Sequence, residues 1–219
     1  SEVPHGRRGA DSRIATMEPL EVLSVGRISV DLYAIEPYVG FEGQQSFRKS
    51  VGGSPTNVAV AAAQLGHRVA LATKVGDDAF GDYARTRLSE WGVVTDFISC
   101  QPHSQTPLAL AALTPPETPT VIFYRGPSAP DTTLTESDVP TDVVRDARIL
   151  WISQASLAQG PTADTCLAWM GLRRRDQHTI LDLDYRPSLW ASRDAARSMA
   201  TRAIALATVV VGNREECEV

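Results

Sequence analysis

The chain has 219 residues, enough for one substantial α/β domain with a buried core. Its net charge of -5 and its 43% hydrophobic content describe a globular protein with no electrostatic pull toward nucleic acid. No apolar run approaches the roughly 18 residues needed to cross a bilayer, and the widely spaced Cys100, Cys166 and Cys217 offer neither a disulfide framework nor a metal knuckle, so a cytoplasmic location is expected.

The opening "SEVPHGRRGADSRIAT" carries arginines without an apolar segment behind them, and residues 1–20 read as a flexible extension with Met17 as a candidate start. From Glu21, short β-branched runs alternate with helical patterns, the mark of βαβ units around a parallel sheet. Val22 to Val25 reads as a buried strand. "PTNVAVAAAQLG" reads as a helix capped by Ser54, started by Pro55, with Val58, Ala61, Ala62 and Leu65 on one face and Gly66 at its end. "RVALATKVG" is the next strand, and "DDAFGDYARTRLSEWG" a surface helix with acidic residues in its first turn and Gly92 behind it.

"TPLALAALTPPETPTVIFYRG" breaks that rhythm, because two β-like runs joined by a Pro-rich turn predict a hairpin, which with "SFRKSV" makes a small sheet beside the main one. Alternation resumes through strand "ILWIS", helix "PTADTCLAWMGLRRR", strand "TILDLDY", helix "SRDAARSMATRAIALA" and strand "TVVVGN". Only "REECEV" follows. The expectation is a chain cut short within a larger domain, with the edge of "TVVVG" left open to pairing.

Ligands of open parallel sheets lie beyond the carboxyl ends of the strands, so polar residues there are the candidates. Asp31 follows the first strand. Gly52, Gly53 and Asn57 stand at a helix start, where glycines admit close approach and free N–H groups face oxygens, although the same residues also make an ordinary capped turn. Asp182 and Asp184 fall on one side of a strand with Arg186 in its exit loop, which predicts a polar pocket rather than a core. Asn213 and Glu216 in "NREE" read as a capping box. No GxxxxGK[ST] occurs, the only lysines are Lys49 and Lys74, and "VGRISVD" is not a GxGxxG, so phosphate-loop and dinucleotide folds are not supported. His5, His67, His103 and His178 show no metal-ligand spacing and are expected on the surface.

Taken in order from Glu21 to Glu216, these segments resemble the first two-thirds of the ribokinase-like (PfkB) sugar kinases. "VGGSPTNVAVAAAQLGHRVALATKVGDDAFG" is similar to that family's first signature, and "VGRISVDLYA", "VIFYRGPSAPDTTL" and "LDLDYRPSLW" look most like its 5-dehydro-2-deoxygluconokinase branch. The 2-keto-3-deoxygluconate kinases, which often carry "DxNxRxxLW", are close behind; Asp184 stands here where their Asn would. The resemblance implies a doubly wound α/β domain with a β-sheet lid from about residues 32–51 and 106–125. It implies ATP- and Mg2+-dependent phosphorylation of a primary hydroxyl on a small sugar or keto-sugar acid, and the family's homodimers through the lid.

Carried over by residue, Asp31 and Asn57 would bind sugar hydroxyls, Gly52 and Gly53 would pack against the sugar, and Asp184 would line its site. Arg125 and Arg186 would meet an acidic or keto end. Asn213 and Glu216 match an NxxE motif near the triphosphate, with Glu216 acting on magnesium indirectly. The second signature, "DTxGAGD", which carries the anion hole and the catalytic aspartate, is absent from these 219 residues. The chain by itself is therefore expected to be inactive, since phosphoryl transfer depends on those positioned charges. A sugar-binding or dimerisation module, or a piece of a longer kinase, are the other readings.

Overall fold

The computed structural model describes residues 19–126 and 128–219. The extension expected over residues 1–20 lies outside the described residues except for Pro19 and Leu20, and Leu20 is buried in the core, its carbonyl accepting the Arg148 N–H at 3.1 Å.

A six-stranded parallel sheet runs through the molecule. Its strands are β1 (Val22–Val25), β4 (Val69–Gly76), β5 (Ile98–Gln101), β8 (Ile149–Ser153), β9 (His178–Asp182) and β10 (Val209–Val211), in the order β10-β9-β8-β1-β4-β5. Every neighbouring pair is parallel. All four residues of β1 are buried, as a central strand covered on both faces requires.

Side chains alternate between two cores. Leu23 and Val25 join Leu150, Ile152 and Leu181 beneath Trp169 and Met170 of α4 (Gly160–Gly171) and Ala203 of α5 (Arg193–Leu206), with Val144 of α3 (Thr141–Asp146) completing that face. Val22 joins Leu71 and Val75 against Ala59 of α1 (Ser54–Gln64) and Ala84 and Leu88 of α2 (Ala79–Glu90).

The second sheet has four strands in the order β3-β2-β6-β7, made of β2 (Ser29–Ala34), β3 (Phe47–Gly52), β6 (Leu108–Ala112) and β7 (Thr120–Tyr124). Strands β6 and β7 form the expected hairpin, and β2 pairs antiparallel with β3 and parallel with β6. Asp78, the N-cap of α2, fixes this sheet to the first: its Oδ1 accepts Phe80 N, Gly81 N and Thr106 Oγ1, while its Oδ2 accepts Thr106 N at 2.7 Å.

Three sequence expectations change. Ser54 does not cap α1; Gly53 holds that place with φ 110, and the Ser54 hydroxyl instead donates to Asp182 at 2.6 Å. A hydrogen bond to a charged group contributes about 1.5–3 kcal/mol, more than a cap usually does, so the carboxylate wins the hydroxyl. The buried side of α1 carries Pro55, Thr56 and Ala59, while Ala61 and Leu65 are exposed, because the helix is anchored by its first turn rather than laid flat by its largest side chain. Strand β5 was not expected, having only four residues and no clear alternation.

At the other edge, β10 is the last strand and pairs with β9 alone among the described residues, and its Val209, Val210 and Val211 are exposed. Replacing Val210 with lysine is expected to reduce concentration-dependent association of the 219-residue chain. Sedimentation velocity checks this, and equal association of both forms would mean that this edge does not pair.

Candidate functional site

An open cleft of about 360 Å³ lies at the carboxyl end of the parallel sheet, beneath the second sheet. That size suits a small ligand. Asp31, Gly53, Asn57, Asp184 and Arg186 line it, so five of the predicted residues, far apart in the chain, meet there. Arg27, Ser29, Ser54 and Phe123 complete its polar walls and its one aromatic flank.

Asp31 comes from β2, opposite Ser50 of β3. Its Oδ1 accepts the Ser29 hydroxyl at 2.7 Å and its Oδ2 the Tyr33 phenol at 3.2 Å. Burial, then the nearby Asp31 charge, raises the Tyr33 pKa, which keeps the phenol a donor. No cation pairs with Asp31 among the described residues, and its lone pairs remain available to hydroxyl donors.

Both glycines of "GGSPTN" serve the protein before they serve a ligand. A Cβ on Gly52 would collide with the Asp31 carboxylate, and one on Gly53 with the Arg27 carbonyl. Gly53 also has φ 110, which side-chain-bearing residues rarely adopt. The close approach lets the Thr56 hydroxyl donate to the Arg27 carbonyl at 3.1 Å and the Ser24 hydroxyl to the Pro55 carbonyl at 2.7 Å. The first turn of α1 is thus fastened to the end of β1, and Asn57 is presented, exposed, to the cleft.

Asp184 lies just past β9 and is 5% exposed. Its Oδ1 accepts Arg186 Nε at 2.7 Å, and its N–H donates to Asp182 at 3.3 Å. Burial raises its pKa, with the Arg186 charge opposing and the Asp182 charge adding to the rise. The two carboxylates of "LDLDYR" part company: Asp184 lines the cleft, while Asp182 does not and accepts the Ser54 hydroxyl.

Arg125 behaves differently from expectation. It follows β7, and its two terminal nitrogens form a fork with Asp131, Nη1 to Oδ2 at 2.7 Å and Nη2 to Oδ1 at 2.5 Å. Asp131 is buried in the short turn Pro130–Thr132 and also accepts Ile28 N at 3.1 Å. Arg125 does not line the 360 Å³ cleft; with Phe123 and Tyr124 it lines another of about 740 Å³.

Asn213 and Glu216 sit at α6 (Arg214–Cys217) in a separate cleft of about 530 Å³. They form the predicted capping box, Glu216 N to Asn213 Oδ1 at 2.9 Å and Asn213 N to Glu216 Oε2 at 2.8 Å. Arg186 lines both clefts and connects them.

Sequence reasoning passed over Arg27 and Asp131. An arginine directly after the glycine that ends a buried strand was the available signal for Arg27. Nothing local distinguishes Asp131 from other loop aspartates; its partners lie 6 and 103 residues away.

A family model described as pfkB family carbohydrate kinase matches residues 20–219. The chain belongs to that family. A 5-dehydro-2-deoxygluconokinase of Photobacterium profundum is 35% identical over 200 residues, covering 90% of this chain and 60% of the relative. That of Bacillus subtilis is 30% identical over 201 residues, covering 91% and 62%. Among solved structures, a fructokinase from Xylella fastidiosa with bound ATP has a TM-score of 0.78 at 30% identity, covering 90% of this chain and 59% of that one. An uncharacterized sugar kinase from Pyrococcus horikoshii in complex with ATP gives 0.77 at 27% identity, covering 86% and 62%. The ribokinase-like fold expected from sequence is therefore present, and the chain spans about 60% of the length of these curated relatives.

The Asp184 shift has a direction that can be checked. For a carboxylate whose folded pKa is raised, the stabilising contribution is present below the ordinary value of 3.8 and is lost as pH rises through the folded value. The stability of the native chain relative to Asp184→Asn is thus expected to fall as pH is raised from 3.8 upward, read as the difference in urea midpoints. A difference that grows with pH would mean that ion pairing with Arg186 outweighs burial.

Proposed function

We propose that these residues form the sugar-binding part of an ATP-dependent kinase that phosphorylates a primary hydroxyl of a small sugar or keto-sugar acid, with 5-dehydro-2-deoxygluconate favoured. The observation that carries the reading is the meeting of Asp31, Asn57, Asp184 and Arg186 in one cleft at the carboxyl ends of the strands, on a chain of the pfkB family. The names of the curated relatives favour that sugar acid over the 2-keto-3-deoxygluconate alternative.

In this reading the Asp31 carboxylate accepts hydrogen bonds from sugar hydroxyls, and the Asn57 amide gives a further donor and acceptor. Gly53 lets the backbone come close. Together these fix the orientation of the sugar, which is where much of the work of phosphoryl transfer lies. The second sheet, covering residues 29–52 and 108–124, acts as the lid that keeps water from the cleft.

Bound ATP would supply the phosphoryl group, and Mg2+ would neutralise its phosphates. Asn213 and Glu216 would hold that end. Glu216 keeps one carboxylate oxygen on the Asn213 N–H. Glu216 therefore fits a contact through magnesium-bound water rather than direct chelation, consistent with the reluctance of Mg2+ to shed its waters.

The lid is also the proposed contact between two copies of the chain. The same small sheet carries exposed aromatics at Tyr33 on β2, Phe47 on β3 and Phe123 and Tyr124 on β7. A cytoplasmic location accords with three free cysteines and with the absence, among the described residues, of any helix long and apolar enough to cross a membrane.

Because no "GAGD" segment is present, the 219-residue chain is expected to bind 5-dehydro-2-deoxygluconate in calorimetry yet yield no phosphorylated product with Mg-ATP by phosphorus NMR. Asp31→Ala is expected to weaken sugar binding roughly tenfold to a hundredfold, the range for lost hydrogen bonds to a charged group. Turnover by the chain alone would refute the inactivity, and unchanged affinity in Asp31→Ala would refute the placement of the sugar.

A further inference from the structure

Arg27 and Arg186 line the cleft and Arg125 stands outside it; among the described residues Arg125 has both terminal nitrogens engaged, whereas Arg186 bonds through its Nε alone. Arg125 forks onto Asp131, with side chains 9% and 0% exposed, and Arg186 pairs with Asp184 at 2.7 Å. Arg27 is different. No hydrogen bond or ion pair among the described residues uses its side chain, and its Nε is buried without a partner.

The position makes that unusual. A guanidinium has five donors, and burying one without an acceptor has a substantial cost. On one side Arg27 closes a crevice of about 10 Å³ shared with Arg125 and Asp131, room for about one water. On the other it lines the 360 Å³ cleft, which has room for a ligand group. Burial and the neighbouring Arg125 charge lower its pKa from the ordinary guanidinium value, while Asp131 and Asp184 oppose that.

The cleft is accordingly polarised. Among the described residues Asp31 receives only hydroxyl donors and no cation, and the Arg27 side chain is paired with no carboxylate. A ligand with hydroxyls at one end and a carboxylate at the other would satisfy both, in one orientation only. We infer that Arg27 is the residue that receives the carboxylate of the substrate, and so the determinant of acid over neutral sugar, in place of Arg125. The inference rests on reading this cleft as the sugar site. Planar guanidinium and carboxylate groups pair through two parallel hydrogen bonds, which gives direction as well as charge.

The test uses the 219-residue chain and two ligands of matched size, 5-dehydro-2-deoxygluconate and the analogue in which its carboxylate is replaced by a hydroxymethyl group. Calorimetry gives the ratio of the two affinities. The native chain is expected to prefer the acid by about tenfold or more, the size of one charge-assisted interaction. Arg27→Gln and Arg27→Met, the second keeping the aliphatic stem, are expected to bring the ratio close to one, and Arg27→Lys to restore part of it. Urea midpoints establish that each variant is folded.

Equal ratios in the native chain and in either folded neutral variant would overturn the assignment of Arg27 while leaving the sugar site standing. So would a native chain that binds acid and alcohol equally. Binding of neither ligand by the native chain would overturn the sugar site itself.

Discussion

The buried fork between Arg125 and Asp131 is the contact on which the rest of the site depends. It joins the end of the outermost strand of the second sheet to a turn on the main domain, and the same carboxylate takes the N–H of Ile28, at the passage from β1 into β2. The Asp131 carbonyl in turn accepts the Thr162 hydroxyl of α4 at 2.9 Å. One aspartate thereby ties both sheets and a helix together. Removing one partner of such a pair strands the other charge and costs about 3–5 kcal/mol, so the fork serves geometry as much as stability.

From that anchor the cleft follows. The chain leaves β1 toward β4 and β5 on one side, then returns to β8 and β9 on the other, which opens a crevice at the carboxyl ends where the direction of winding changes. Arg27 leaves β1 at that point, α1 begins there on Gly53, and Asp184 and Arg186 arrive from β9. Several of these groups are held from behind: the first turn of α1 by Thr56 on the Arg27 carbonyl, Ser54 by Asp182, Asp184 by Arg186. A site built in this way has little freedom left to lose on binding, which favours a ligand that matches it.

Much of this was legible in the residues. Strands β1 and β4 are short runs buried on both faces, β8 and β9 are short runs buried chiefly on one, and the Pro-rich joint between β6 and β7 announced a hairpin. "GGSPTN" was recognisable as a close approach before a helix, but the approaching groups, Asp31 and the Arg27 carbonyl, belong to the protein. What stayed hidden is the choice of partners among polar groups. Ser54 had a local role open to it as a cap and took a carboxylate 128 residues away, and Arg125 took Asp131 where a substrate had been expected. Spacing reports which residues can reach a strand end; it does not report which charges there cancel one another, and the one left over is Arg27.

The central claim is that the cleft between the two sheets holds a sugar acid in a single orientation. A crystal structure of this chain with 5-dehydro-2-deoxygluconate tests it most directly. The account predicts density between the sheets, with hydroxyls on Asp31 and Asn57, the carboxylate on Arg27, and the Arg125–Asp131 fork intact. Density for the ligand elsewhere, or a carboxylate seated on Arg125 with Asp131 released, would contradict it.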